Sequence, residues 1–208
     1  MRRFDAAAVT IGIVASLLPP SSPLPQSRGI IFHTLHLAVK QTWGGRALDE
    51  VIACLPAEVA EATSGSGFLP IRWYPTAHLL AWQTAIYDLK AKGNDVDYAA
   101  CIDRSLDVAI GGVRRLFMKV VTPRAIGERA GDMWRHFHTH GKVELDWRTE
   151  TSGRVILSGH PYVEDTVGRR TYAEMIRYML GLSRAKDVRE SHGIDAAGRL
   201  AVTVSWRA

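Results

Sequence analysis

Four short segments in the last third of the chain have the pattern of strands. Residues 143–148 and 200–206 alternate apolar and polar residues, residues 155–157 form an apolar run, and residues 186–191 form a weaker, more polar segment. Two segments flank the Ser152-Gly153 turn, and the other two flank a loop bounded by Gly193 and Gly198. Alternation with a period of two is typical of strands that bury one face of a sheet. The pattern therefore predicts two β-hairpins, one over residues 142–157 and one over residues 186–206.

One helix is predicted between the two hairpins. Thr171 and Glu174 have the spacing of a capping box, which favours a helix that begins at Thr171. Gly181 is the residue type that ends many helices in a left-handed conformation. The apolar stripe of this helix consists of Tyr172, Met175, Ile176, Met179 and Leu180. The order ββαββ predicts an α+β fold in which the helix covers a four-stranded antiparallel sheet.

Helical periodicity in the preceding residues predicts an N-terminal helical subdomain of about five helices. The predicted helices cover residues 31–39, 48–55, 73–89, 96–121 and 122–141. Trp73-Tyr-Pro75 is expected to open the third helix, and Thr122-Pro123 the fifth, because proline is tolerated in a first turn. Gly111 and Gly112 lie inside the fourth, where they predict a kink or a close helix crossing.

The first residues of the chain differ in composition from the rest. An apolar run over residues 6–18 follows two arginines and precedes a proline-rich stretch, which is the order of a secretory leader. Asp5 and the prolines, in place of a small-residue cleavage site, favour a tail outside the fold. We therefore predict a disordered tail or leader over residues 1–28 and a single α+β domain over residues 29–208.

Composition and charge narrow the class of protein. A hydrophobic content of 47% and a charged content of 23% suit one globular domain. The net charge of +5 comes from basic residues spread along the chain, so we expect no nucleic-acid partner. The apolar run is too short to span a bilayer. Cys54 and Cys101 lie in helical patterns, which predicts buried free thiols and a cytoplasmic protein, or an exported one if the leader is a signal peptide.

Three histidines are candidate metal ligands. His136, His138 and His140 have a spacing that presents three imidazoles on one side of a strand. The local pattern is helical, however, and on a helix His138 points away from the other two. The favoured interpretation is that these imidazoles complement the negative end of a helix dipole. We predict no metal site.

An aromatic cluster lies at the start of the predicted third helix. Trp73, Tyr74, His78 and Trp82 are candidate ligand-binding residues, with His78 and the Tyr74 hydroxyl as the polar groups that would orient a ligand. Ordinary core packing is the alternative interpretation.

Two arginines precede the capped helix. Arg169 and Arg170 are candidate anion-binding residues, because guanidinium groups and the free N–H groups of a helix start can hold a phosphate or carboxylate. A solvated turn is the alternative.

No catalytic motif is recognisable in the sequence. A nucleophile elbow, a His-Glu-x-x-His motif and a Gly-Lys-Ser/Thr after the glycine-rich residues 63–67 are all absent. We therefore predict that the protein is not an enzyme. A metal-dependent enzyme that uses the three histidines is the remote alternative.

Several short motifs, in the same order, resemble those of a family of uncharacterised proteins found mainly in myxobacteria. They are Arg28-Gly-Ile-Ile-Phe32, Leu55-Pro56, Trp73-Tyr-Pro75, Gly111-Gly112, Thr122-Pro123 and the closing residues 181–206. That family is distantly similar to the haem nitric-oxide-binding domain, the 4-vinyl reductase domain and the small subunits of the vesicle-tethering transport particle. The resemblance implies helices that lead into a four-stranded antiparallel sheet.

The resemblance does not extend to the cofactor motifs of those relatives. The haem-binding relatives hold the haem propionates with a Tyr-x-Ser-x-Arg motif, and no tyrosine of this chain begins one. The reductase-like relatives carry cysteines near the C-terminal hairpin, and residues 194–206 contain none. We therefore predict no cofactor.

The fold group implies two functional hypotheses. The first is a non-enzymatic sensory or regulatory domain that binds a small apolar molecule between helices and sheet. The alternative is a scaffold whose helical face forms a homodimer or contacts another protein. Analogy between folds alone does not decide between them.

Overall fold

The computed structural model describes residues 23–63, 67–111 and 119–207. In this part of the chain, helices precede the main sheet. They are α1 (Gly29–Trp43), α2 (Gly45–Ala53), α3 (Ala57–Thr63), α4 (Thr76–Ala85), α5 (Asp95–Ile110), α6 (Pro123–Glu128) and α7 (Ala130–Phe137). A π-helical segment, Ile86–Lys90, continues α4, and a ribbon of two short strands, β1 (Gln26–Arg28) and β2 (Trp73–Pro75), flanks α1 and α4. The predicted helical subdomain is confirmed, with α3 as an additional short helix.

Two hairpins with one helix between them form the second part of the fold. They comprise β3 (Lys142–Thr149), β4 (Ser152–Ser158), α8 (Thr166–Gly181), β5 (Lys186–Ile194) and β6 (Leu200–Arg207). All neighbouring strands are antiparallel, in the order β3-β4-β6-β5. The predicted α+β fold and its ββαββ order are confirmed.

The core lies between the inner face of this sheet and the helices. Along β6, Leu200, Val202 and Val204 are fully buried, whereas Thr203 and Ser205 on the other face are exposed, although Ala201 on that face is also buried. Burial of one large aliphatic side chain contributes about 1.5–3 kcal/mol. This alternation therefore decides which face of the sheet meets α8.

The β1–β2 ribbon adds residues before Gly29 to the fold. Ser27 is fully buried, and the Gly29 N–H donates to the Arg72 carbonyl at 2.7 Å. A Cβ atom at Gly29 would lie 2.0 Å from the Leu69 carbonyl oxygen, so only glycine fits there. These contacts join residues 26–28 of the predicted 1–28 tail to the fold, whereas residues 1–22 lie outside the described residues.

Two of the predicted helices have different bounds. Trp73-Tyr-Pro75 is a strand, because its backbone pairs with β1, and α4 begins only at Thr76. The fourth helix, α5, ends at Ile110 because Gly111 adopts a positive φ of 68°. A Cβ atom at Gly111 would meet open space, so no close helix crossing occurs there. Gly112 lies outside the described residues.

The predicted fifth helix is interrupted. Thr122 caps α6 as expected, with its side-chain oxygen accepting from the Ala125 N–H at 3.2 Å, and Pro123 occupies the first turn. The helix stops after Glu128, and α7 ends at Phe137. His138 is extended, with φ −136° and ψ 138°, so the interpretation of its imidazole as lying on a helix is wrong.

Helix α8 begins five residues before the predicted capping box. Asp165 caps it, because its carboxylate accepts from the Gly168 N–H at 2.6 Å. Thr171 lies inside the helix and donates to the Val167 carbonyl, so the capping box does not form. The helix ends at Gly181 as predicted, but Gly181 is not among the glycines with a positive φ, so the predicted left-handed end is wrong.

The Trp147 indole is held between two glycines. A Cβ atom at Gly127 of α6 would lie 2.5 Å from Cζ2 of this ring, and a Cβ atom at Gly153 of β4 would lie 2.5 Å from its Cε3 atom. The Trp206 ring completes the contact at a centroid distance of 6.0 Å. Helix α6 therefore lies against the β3–β4 hairpin through a ring that tolerates no side chain on its neighbours.

We expect Gly127→Ala to destabilise the protein, although alanine is the better helix former. Overpacking costs about 1–3 kcal/mol, which exceeds the gain of about 1 kcal/mol in helix propensity. Gly181→Ala is the matched control, since nothing lies within 4 Å of its Cβ position, and it should stabilise by about 0.4–1 kcal/mol. Thermal melts compare the two variants. A higher melting temperature for Gly127→Ala would contradict the proposed packing.

Candidate functional site

A cluster of imidazole and aromatic rings fills the space between the helical part and the sheet. The Trp134 ring stacks on His138 at a centroid distance of 4.0 Å and meets the rings of His160 and Tyr172 edge-on at 4.8 and 5.5 Å. The Tyr162 ring lies 4.6 Å from His160. All five residues are buried. We call this set the imidazole cluster.

Hydrogen bonds from distant parts of the chain fix His138. Its Nδ1 atom lies 3.0 Å from the Ser27 hydroxyl, which is 2.9 Å from the Thr76 hydroxyl. The Thr139 N–H donates to the Gln26 carbonyl beside this pair. His138 therefore joins β1 and α4 to the segment after α7.

His160 caps the short 3₁₀ helix Pro161–Val163. Its Nδ1 atom accepts from the Tyr162 N–H at 3.2 Å, whereas its Nε2 atom is buried without a partner among the described residues. Burial lowers the pKa of His160 to about 3 and holds the pKa of His138 well below its ordinary value. Both imidazoles are therefore neutral, and the cluster is held by packing.

The three histidines predicted as one group do not converge. His136 is exposed, whereas His138 is 5% exposed and packs in the imidazole cluster. The described residues contain no group of three or more His, Cys, Asp or Glu side chains that could hold a metal ion. Local helical periodicity missed the burial of His138, because its partner Ser27 lies far away in the sequence.

The candidate ligand-binding aromatics are divided between two environments. Tyr74 and Trp82 pack around the Phe68 ring, at centroid distances of 4.8 and 6.4 Å, inside the hydrophobic core. Trp73 lies under the Arg28 guanidinium, and His78 faces Glu58 at 3.7 Å. The structure brings two of the four together in the core. Their role in ligand binding stays a prediction.

The candidate anion-binding arginines lie within α8. Arg170 forms an ion pair with Asp95 and lies over the Tyr87 ring. Arg169 donates to the Thr166 hydroxyl at 3.2 Å. Both guanidinium groups therefore have intramolecular partners, and an anion-binding role stays a prediction.

Two carboxylates that the sequence did not connect share one arginine. Asp103 of α5 and Glu174 of α8 both accept from the same Nη2 atom of Arg177, the former at 2.7 Å. Burial, and then the neighbouring Glu174, raise the pKa of Asp103 to about 7. This site links α5 to α8, and only their packing brings the three residues together.

An open apolar groove of about 630 Å³ runs along one face of α4 and the π-helical segment. We call it the α4 groove. Its lining from this face is Leu80, Ala81, Thr84, Ala85, Asp88 and Leu89. Cys54, Pro56 and Asp165 complete it. Its residues come from three separate parts of the chain, so no local sequence pattern predicts it.

The two cysteines differ in exposure, contrary to the prediction that both are buried. Cys54 is exposed, because it follows the last turn of α2 where the chain leaves the core towards Pro56. Cys101 is buried, and burial raises the pKa of its thiol to about 12. Only Cys54 therefore offers a thiol to a reagent in solution.

Comparison with known proteins identifies the fold. No protein-family model and no curated protein matches the chain. The Fe(II) unliganded H-NOX protein from K. algicida aligns with a TM-score of 0.61 at 12% identity, over 87% of this chain and 97% of that chain. The S. oneidensis H-NOX protein in the Fe(II)NO state gives 0.60 at 9% identity, over 87% and 99%. An oxygen-binding H-NOX domain related to soluble guanylate cyclases gives 0.59 at 9% identity, over 87% and 95%. This chain has the H-NOX fold.

The H-NOX fold confirms the implied likeness to haem nitric-oxide-binding domains at the level of architecture. The myxobacterial family, with its other relatives, stays a prediction. Among the described residues, no helix is long and apolar enough to cross a membrane.

The residues inside this H-NOX fold do not fit a haem. Trp134 is held in place by its Nε1 atom, which donates to the His140 carbonyl at 2.8 Å, and its ring occupies the space between His138 and Tyr172. The free Nε2 atom of His160 belongs to a ring packed edge-on against Trp134 and Tyr162. Interiors this closely packed leave no slot for a porphyrin.

Acid should destabilise the protein through the buried imidazoles. An unfolded histidine binds a proton below its ordinary pKa of 6.5, whereas folded His160 stays neutral until about pH 3. Between about pH 3 and pH 6.5 the unfolded state therefore binds more protons than the folded state. The contribution of neutral His160 to stability is complete above pH 6.5 and decreases as the pH falls through this range. Each such histidine contributes a slope of about 1.4 kcal/mol per pH unit.

The substitution His160→Asn should preserve the cap of the 3₁₀ helix and remove the titratable imidazole. We expect His160→Asn to reduce the pH dependence of the free energy of unfolding by about one proton between pH 4 and 6. Urea unfolding at several pH values measures it, with the exposed His136→Asn as the control. Equal slopes for wild type and His160→Asn would show that His160 is not buried in neutral form.

We expect no stoichiometric haem complex, because Trp134 and Tyr172 fill the interior. Titration of the purified protein with haemin should give no sharp Soret band at one equivalent, while the K. algicida H-NOX protein gives one under the same conditions. A one-to-one complex in the wild type would show that the imidazole cluster opens.

Proposed function

We propose that this protein is a non-enzymatic sensory or regulatory domain that binds a small apolar molecule in the α4 groove. The observation that carries the proposal is the groove itself, an apolar groove of about 630 Å³ that runs along α4 and the π-helical segment continuing it and is completed by Cys54, Pro56 and Asp165. This volume lies in the range of small-molecule sites. π-Helical turns are frequent at functional sites, because their backbone hydrogen bonding is less regular.

The H-NOX fold supports a sensory role by analogy. One structural neighbour is an oxygen-binding domain, and another carries nitric oxide on Fe(II). In this chain the rings of the imidazole cluster pack on one another between the helices and the sheet, so we place the ligand outside this cluster. The predicted aromatic residues Tyr74 and Trp82 are likewise packed in the core, which favours the α4 groove over the site suggested by the sequence.

Contacts from the groove to α8 provide a route by which occupancy could reach the sheet. Leu80 lies against Gly168, where an added Cβ would be 3.1 Å from it. On the buried face of α4, the Gln83 amide donates to the Tyr162 hydroxyl at 2.8 Å. A ligand that shifts α4 would therefore shift the start of α8.

The π-helical segment contacts α8 through a second set of bonds. The Tyr87 hydroxyl donates to Asp95 at 2.9 Å, and Arg170 of α8 pairs with the same carboxylate while lying 5.4 Å from the Tyr87 ring centre. Asp88 and Leu89, which line the groove, are the next residues of this segment. A change in the backbone conformation of the π-helical segment would therefore alter the position of Arg170.

Cys54 allows a direct test in the native sequence. We expect octanol and decanol to slow the reaction of Cys54 with a thiol reagent in a saturable way, because an occupant of the groove covers its thiol. Cys101 does not interfere, since burial raises its pKa to about 12. The measurement is the rate of colour release from Ellman's reagent at increasing alcohol concentration.

The matched control moves the thiol by one residue. In the double variant Cys54→Ala with Ala53→Cys, the thiol is on an exposed residue that does not line the groove. Its reaction rate should be independent of the alcohols. Equal protection of both thiols, or protection of neither by any apolar probe, would contradict the proposed site and favour the scaffold hypothesis.

A further inference from the structure

We infer that the molecule recognised by the α4 groove carries a positive charge: it is an apolar organic amine, bound as the ammonium ion. This inference rests on the proposed function and adds the chemical class of the ligand. The argument comes from the charges at the groove, from their arrangement along its apolar face and from the partners that each carboxylate has.

The charged residues that line the groove all have the same sign. Among the described residues that line it, these are Asp88 and Asp165, and none is a lysine, arginine or histidine. The chain as a whole has a net charge of +5, with 26 lysine and arginine residues against 21 acidic ones. A groove lined only by carboxylates is therefore opposite in sign to the molecule around it, which favours a cationic occupant.

The nearby cations are held by other partners. Lys90 of the π-helical segment pairs with Glu50 of α2, and Arg169 donates to the Thr166 hydroxyl and to the backbone carbonyl of Asp165. Asp88 forms no ion pair with any described residue and is exposed. Asp165 uses one carboxylate oxygen to cap α8 at Gly168, which leaves its remaining acceptor positions for a ligand.

The two carboxylates lie towards opposite ends of one apolar helix face. Leu80, Ala81, Thr84 and Ala85 precede Asp88 at helical spacing, and Asp165 lies beside Leu80 because Gly168, which it caps, contacts that side chain. Eight residues of helix separate Leu80 from Asp88, which is about 12 Å at a rise of 1.5 Å per residue. An alkyl chain that packs on Ala81 and Ala85 would therefore place an ammonium group next to a carboxylate at the end of the groove.

Asp88 is the principal counterion, because it is unpaired and the capping bond already occupies Asp165. A partly exposed ion pair of this kind changes affinity by about fivefold. We expect octylammonium to protect the Cys54 thiol at a concentration about fivefold or more below that of octanol, and octanoate to protect it least. Added salt should weaken the protection by octylammonium and leave that by octanol unchanged.

Near-isosteric amides remove each charge without removing the fold. Asp88→Asn should raise the octylammonium concentration for half-protection about fivefold and leave octanol unchanged. Asp165→Asn should have a smaller effect in the same direction, and it keeps the cap because asparagine caps helices as well as aspartate does. The control is Glu150→Gln, an exposed carboxylate in the turn between β3 and β4 with no ion pair among the described residues, and it should change neither probe.

The outcomes separate this inference from the proposal on which it rests. Equal protection by octanol and octylammonium, or the same octylammonium affinity in Asp88→Asn and wild type, would overturn the amine inference and leave the apolar site intact. Protection by neither probe would overturn the α4 groove as a ligand site altogether. Selective protection by octylammonium that is lost in Asp88→Asn supports both.

Discussion

The packing of two neutral imidazoles against Trp134 is the interaction on which the assembly of this fold depends. A ribbon of two three-residue strands is only marginally stable by itself. β1 is kept in place because Ser27 is bonded to both His138 and Thr76. The first strand, α4, the end of α7 and the turn before α8 thus meet around one buried cluster. A charge at either imidazole would be desolvated without a counterion, which explains why both remain neutral.

The sequence specified the sheet and the helical subdomain because their signals are local. The alternation of Leu200, Val202 and Val204 with polar residues predicts strand β6 without knowledge of its neighbours, and the stripe that includes Ile176 and Leu180 predicts α8. The predicted start of α8 was wrong because Asp165 and Thr171 are both good N-cap residues. Only the structure shows that Val167 and Gly168 are buried against the core.

The candidate site could not be predicted in the same way. His138 lies within a helical pattern, and its burial depends on Ser27, which is 111 residues away in the sequence. The α4 groove likewise joins Cys54, Leu80 and Asp165 from three separate segments. Residues that meet only through tertiary packing leave no periodic trace. The likeness to H-NOX proteins concerns the architecture, since the same helices and sheet can enclose a cofactor or an aromatic core.

Asp103 has a consequence for proton binding that opposes that of the histidines. Its pKa of about 7 in the folded protein, against an ordinary 3.8, means that folding takes up a proton between these values, whereas burial of His138 and His160 means that folding releases protons below about 6.5. In mildly acidic solution one effect therefore offsets part of the other. Protonation of Asp103 in the folded state therefore favours folding in the same acidic range in which the neutral imidazoles disfavour it, so mild acid should cost the domain less stability than its buried histidines alone would.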